Sequence, residues 1–119
     1  MLILPIKKKW FDMIATGEKK EEYREIKPYY NKCLGNEVMG FPFTDEIVKN
    51  FENIKQYDAG QFKNNIEIIF RNGYKADSPK LKCICKLTVG EGKKEWGAEE
   101  GKEYYILEIL SIEEGIVYE

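Results

Sequence analysis

Hydrophobic positions recur along the chain with two different periods. From Leu81 to Val89 the odd positions Leu81, Cys83, Cys85, Leu87 and Val89 are apolar, while Lys82, Lys86 and Thr88 occupy the even face with Ile84 as the exception. Side chains alternate across a strand, so this pattern predicts a half-buried strand ended by Gly90-Glu91-Gly92. Ile66, Ile68 and Phe70 alternate with Glu67 and Ile69 in the same way, and Asn72-Gly73 after them predicts a tight type I′ turn. Tyr104 to Ile112 is apolar at both parities apart from Glu108 and Ser111, the pattern of a central strand covered on both faces.

The first half of the chain carries the helical period. Ile6, Trp10, Met13 and Ile14 recur at helical spacing, with Lys7 to Lys9 and Asp12 largely on the other side. The spacing predicts a first helix that packs Trp10 and Ile14 into the core and closes at Gly17. Before it, Leu2-Ile3-Leu4 reads as an opening strand ended by Pro5, whose missing NH suits the first turn of a helix. Pro28 and Gly35 bracket a short second helix. Between the two, Lys19 to Ile26 reads as a polar strand. Further on, Thr44 is a plausible N-cap, Asp45 and Glu46 suit the positive helix end, and Ile47, Phe51 and Ile54 share a face. Short helices early and strands late predict a small α+β domain whose twisted sheet curls toward a barrel.

Length and charge narrow the class. A chain of 119 residues leaves room for one compact domain, spanning 1–119, with a single modest core. Lys and Arg number 19 against 21 Asp and Glu, a balance that disfavours a general polyanion-coating protein. The charge is uneven, however. Residues 1–34 hold eight basic and five acidic side chains and residues 81–119 five and nine, so the basic end is the better place to seek an anionic ligand. With no histidine, Ser/His and Cys/His catalytic pairs are excluded and the commonest metal ligand is missing. Three cysteines and no secretion signal predict free thiols in a reducing, cytoplasmic setting, and no apolar run approaches the roughly 20 residues of a membrane span.

Few constellations carry chemistry. Cys83 and Cys85 share the apolar face with Leu81 and Leu87 and read as small buried hydrophobes, inert to reagents. With Cys33 alone remaining, a four-ligand zinc site cannot be completed from soft ligands, and no phosphate-cradling glycine loop or dinucleotide fingerprint is present, so no metal or cofactor is called for. Gly17-Glu18-Lys19-Lys20-Glu21-Glu22-Tyr23-Arg24 runs from a helix-closing glycine into a strand. Glu22 and Arg24 share a strand face and converge with Lys19 over one patch. Read as an ordinary exposed ion-pair cluster, that patch contributes about 0 to 1 kcal/mol of stability.

Gly17, Lys19, Glu22 and Arg24 reproduce Gly-x-Lys-x-x-Glu-x-Arg, and the chain thereby resembles the ASCH family. The likeness takes in the preceding Lys7 to Ile14 helix, the Pro28-Tyr29-Tyr30 stretch and the segment from Glu95-Trp96-Gly97 to Tyr104-Tyr105, with residues 34–65 the weakest part of the match. The resemblance implies a PUA-like small β-barrel with flanking short helices, a charged cluster of Lys19, Glu22 and Arg24 at the mouth of a cleft, and a role as an RNA-binding or modified-nucleotide-binding module without cofactor or membrane. Carried over, Lys19 and Arg24 contact phosphate or a base edge, and Glu22 orients Arg24 or accepts from an exocyclic amine. Tyr29, Tyr30 and Trp96 offer stacking surfaces for a base, or else pack against core and helix. Some ASCH proteins resemble amidohydrolases that deacylate N-acetylated cytidine through a lysine and a threonine of the signature, which makes Lys19 and Glu22 the catalytic candidates of an alternative reading. Glu22 stands where the threonine would be. Lys19 and Arg24 beside it favour its charged form, which suits binding better than general-base catalysis.

Overall fold

The computed structural model describes residues 1–52 and 65–116. In chain order the strands are β1 (Leu2–Ile6), β2 (Glu21–Glu25), β3 (Ile66–Asn72), β4 (Lys80–Glu91) and β5 (Glu103–Ile116). The helices are α1 (Lys8–Ala15), α2 (Pro28–Met39) and α3 (Asp45–Lys49), with one 3-10 turn at Lys94–Trp96. All five strands join one mixed sheet in the order β1-β3-β4-β5-β2, with β1 parallel to β3 and every other pair antiparallel. The domain is therefore of the α+β class. Among the described residues, no helix is long and apolar enough to cross a membrane.

Strand alternation builds the core. Register pairs Ile66 with Cys85, Ile68 with Cys83 and Phe70 with Leu81, and all six side chains are buried on one face. Leu4 extends that layer through β1, and Leu107 and Tyr105 extend it through β5. Phe11 and Ile14 of α1, Leu34 and Val38 of α2, and Phe43 and Phe51 close over it. Cys83 and Cys85 are fully buried, as their shared parity predicts.

The two edge strands, β1 and β2, sit at opposite ends of the strand order, yet Arg24 Nη2 on β2 donates to the Pro5 carbonyl on β1 at 3.0 Å. A side chain spans that gap only if the sheet curls until its edges approach, which makes the sheet a half-barrel with a seam.

Several local expectations are corrected. Pro5 lies inside β1 and not in a helix turn. An edge strand tolerates proline because the missing NH falls on its unpaired side, and here that side faces the seam. Trp10 is only half-buried; the core positions of α1 are Phe11 and Ile14. The second helix runs through Gly35 to Met39 and ends at Gly40 in the left-handed conformation. Gly35 is there for close approach: a Cβ on it would stand 2.5 Å from the Phe43 nitrogen and 2.6 Å from the Phe41 oxygen, both backbone. Gly35→Ala is expected to destabilise by about 1 to 3 kcal/mol through this overpacking, read as a lower urea midpoint; an unchanged midpoint would show that the 41–43 segment yields freely.

Asn72-Gly73 does not make a two-residue turn. Only glycines have positive φ among the described residues, so Asn72 cannot take the type I′ conformation; it stays in β3 and donates to the Pro79 carbonyl at 2.9 Å across a longer loop. Thr44 caps α3, its hydroxyl accepting from the Ile47 NH at 3.2 Å, while Ile54 lies outside the described residues. β5 is covered on both faces only from Tyr104 to Leu107. Leu110 and Ile112, at the same parity as the exposed Glu108, are exposed.

Candidate ligand-binding cleft

The Gly17–Arg24 segment is shaped by the end of α1. Gly17 turns the chain at φ +82°, the Lys19 NH donates to the Met13 carbonyl at 2.9 Å, and Lys19 is thereby aimed back under the helix. Its ammonium lies 3.2 Å from Glu22 Oε1, donates to the Trp96 carbonyl, and stands 4.4 Å from the Trp10 ring centroid and 5.2 Å from that of Tyr23. Glu22 Oε1 also receives the Tyr23 NH at 3.3 Å, and Oε2 receives Arg24 Nη2 at 3.0 Å. Arg24 further donates to Pro5 across the seam and, through Nη1, to the Tyr30 hydroxyl at 3.0 Å; its Nε is buried without a partner among the described residues.

The predicted convergence of Lys19, Glu22 and Arg24 is thus present, but the cluster is not exposed. Lys19 is 1% exposed, Glu22 6% and the Arg24 side chain 12%, so the three charges form a largely buried triad that ties α1, β2, the seam and the 3-10 turn together. Burial lowers the pKa of Lys19, opposed by the attraction and hydrogen bond of Glu22, while Arg24 pushes it the same way as burial. The expectation that exposed pairs of this kind matter little to stability does not apply here.

Beside the triad lies a cleft of about 630 Å3, walled by β2, the β1–α1 junction, the β3–β4 loop and the segment around Trp96. Its aromatic lining is Trp10, Tyr23, Tyr74, Trp96 and Tyr104, and its charged lining balances Lys7, Lys8, Arg24 and Lys102 against Glu22, Glu25 and Glu99. The 92–102 segment is pinned to the sheet by two phenols: Tyr23 Oη accepts the Lys93 NH at 2.8 Å and Tyr104 Oη accepts the Glu99 NH at 3.0 Å. Tyr23 Oη in turn donates to Glu21 at 2.7 Å, and burial raises its pKa strongly.

Of the residues singled out from sequence, Glu22, Arg24 and Trp96 line this cleft. Lys19 does not; it stands behind Glu22 with its ammonium committed. Tyr29 and Tyr30 do not line it either. Tyr29 is exposed on α2 in edge contact with Tyr30, centroids 5.0 Å apart, and Tyr30 buttresses Arg24. Sequence reasoning missed Trp10, Tyr23, Tyr74 and Tyr104 as cleft residues. Tyr74 alone had a local signal, an aromatic side chain isolated in a polar turn between Gly73 and Lys75-Ala76-Asp77. Among the described residues no group of three or more His, Cys, Asp or Glu is placed to hold a metal ion. Comparison with protein-family models, with curated proteins and with solved structures finds no match.

Proposed function

We propose that the chain is an ASCH-type module of PUA-like barrel fold that binds a nucleobase, carried by RNA or by a modified nucleotide, in the cleft beside the Lys19–Glu22–Arg24 triad. The observation that carries this reading is the lining: aromatic rings around a hydrogen-bonding carboxylate, rimmed by lysines, in about 630 Å3. That volume falls among sites for small molecules and single bases. Glu22 Oε2 has one partner and so keeps a lone pair for an exocyclic amine. Lys7 and Lys102 at the rim suit a phosphate, whereas Arg24, held by Glu22, Tyr30 and Pro5, acts by positioning Glu22. The balance of cleft charges fits a ligand with few phosphates better than a long polyanion.

The competing reading is deacylation of an N-acylated cytidine. Its supporting observation is the lowered pKa of Lys19, which moves the amine toward the range of a general base. Its weakness is position, since Lys19 lies off the cleft wall with its ammonium committed to Glu22 and the Trp96 carbonyl.

Both tryptophans of the chain line the cleft, so their emission reports its occupancy. Titration with cytidine 5′-monophosphate and with N-acetylated cytidine is expected to give saturable quenching, with the monophosphate several-fold weaker and less salt-sensitive in Lys102→Ala. Flat emission across nucleosides, nucleotides and short RNAs would reject base binding. Release of acetate from the acylated nucleoside would move the assignment to the enzyme reading.

A further inference from the structure

Base binding in the cleft leaves the exposure of one lining residue unaccounted for. Tyr74, on the loop between β3 and β4, is 85% exposed, more than the N-terminal Met1 at 71%. This exposure is not slack in the loop. The Gly73 NH donates to the Ile6 carbonyl at 3.3 Å and to the Arg71 carbonyl at 3.0 Å, and Arg71 Nε donates to the Gly73 carbonyl at 3.0 Å. Lys80 Nζ donates to the Ala76 carbonyl and, at 3.2 Å, to that of Ser78. The bond to Ile6 fixes the loop beside Lys7 and Lys8, which border the same cleft.

The other rings of the lining are already engaged. Trp10 carries Lys19 and Lys9 at 4.4 and 4.6 Å, and Trp96 carries Lys93 at 4.5 Å. Tyr104 carries Lys102 at 5.3 Å and packs on Tyr23 with centroids 5.7 Å apart. Tyr74 has neither a ring contact nor a hydrogen bond among the described residues, so both its faces are open. Lys7 likewise has no ion pair there, whereas Lys8 is 2.5 Å from Asp12.

We propose that Tyr74 and Lys7 form a second subsite at the cleft rim, so that the ligand is a single-stranded oligonucleotide of at least two nucleotides. One base occupies the cleft, its neighbour stacks on Tyr74, and the phosphate between them lies over Lys7. A π-face is common to every base, so this subsite extends affinity without selecting sequence. The assignment rests on the base-binding reading of the cleft.

The probes are cytidylyl-cytidine in its ribo and deoxyribo forms and cytidine 5′-monophosphate, titrated into the full chain by tryptophan emission. In the wild type the dinucleotides are expected to bind roughly tenfold more tightly than the monophosphate, and in Tyr74→Ala that ratio falls toward one. Tyr74→Trp keeps the ratio, and Lys7→Ala reduces it together with its salt dependence. Thermal unfolding of Tyr74→Ala at the wild-type temperature ties the loss to stacking. A ratio near one in the wild type, or one unmoved in Tyr74→Ala, overturns the rim subsite while monophosphate binding stands. If the wild type binds neither probe, the base-binding reading falls and takes the subsite with it.

Discussion

Glu22→Gln is expected to lower the unfolding free energy by about 3 to 5 kcal/mol, the cost of removing one partner from a buried charge pair. Among the described residues Glu22 is the only anion that ion-pairs with both Lys19 and Arg24, whose side chains are 1% and 12% exposed. Without its charge two cations remain in a low-dielectric pocket with no directly paired anion among the described residues, and Arg24 already disfavours the Lys19 ammonium. Lys19→Met alone also costs stability, since it leaves Glu22 Oε1 without its ion pair and the Trp96 carbonyl without its donor. The double variant Lys19→Met/Glu22→Gln is expected to lose clearly less than the sum of the singles, because partners in one network are not additive. Urea unfolding of the four proteins measures this, and additive losses below 1 kcal/mol would show that water reaches the triad.

The second large effect is alkaline. Burial raises the Cys83 thiol from 9.0 to about 11, with Glu113 adding to the shift, and raises Cys85 further. Burial likewise raises the Tyr23 and Tyr105 phenols above their ordinary 10.0. Each such group keeps its proton in the folded chain at a pH where the unfolded chain has released it. Its contribution is therefore complete below about pH 9 for the thiols and 10 for the phenols, and is lost as the pH rises toward the folded value. Lys19 works in the opposite sense: burial lowers its pKa below 10.5, so stability is recovered as the pH climbs through that window. Burial raises the Cys33 thiol in the same direction, so five groups act against one, and stability should fall above pH 9. The share of Cys83 is at most about 3 kcal/mol, two pKa units at 1.36 kcal/mol each. Urea midpoints at pH 7, 9 and 10.5 test this, with Cys83→Ala expected to flatten the decline. A midpoint independent of pH, or rapid alkylation of both buried thiols at pH 7, would contradict it.

The buried faces of β3 and β4 and the cap of α3 were legible in the chain, whereas the start of α1, the reach of α2 past Gly35 and the coverage of β5 were not. The parity of Leu81 to Leu87 decided which side of β4 is buried, since alternation leaves a strand with one apolar face no other choice. Thr44 capped its helix because the donor it satisfies lies three residues away. The spacing of Glu22 and Arg24 put both on one side of β2, which brought them within 3.0 Å of each other. Contacts between distant segments were not legible. Whether the triad is a solvated surface or a buried knot depends on the Trp96 carbonyl 77 residues from Lys19 and the Pro5 carbonyl 19 residues from Arg24. Both outcomes have the same local sequence, and only the curl of the sheet that closes the seam decides between them. Trp10 shows the same limit. Its helical spacing assigned it an apolar neighbourhood, but the approach of the Trp96–Gly97 segment and of Lys19 turned that neighbourhood into the wall of a cleft. The sequence by itself determined the buried faces of β3 and β4, the starts of α2 and α3 and the charged cluster, because periodicity and capping act over a few residues. Burial, cleft and free rim residue were decided by tertiary structure, because desolvation is a property of everything that packs around a group.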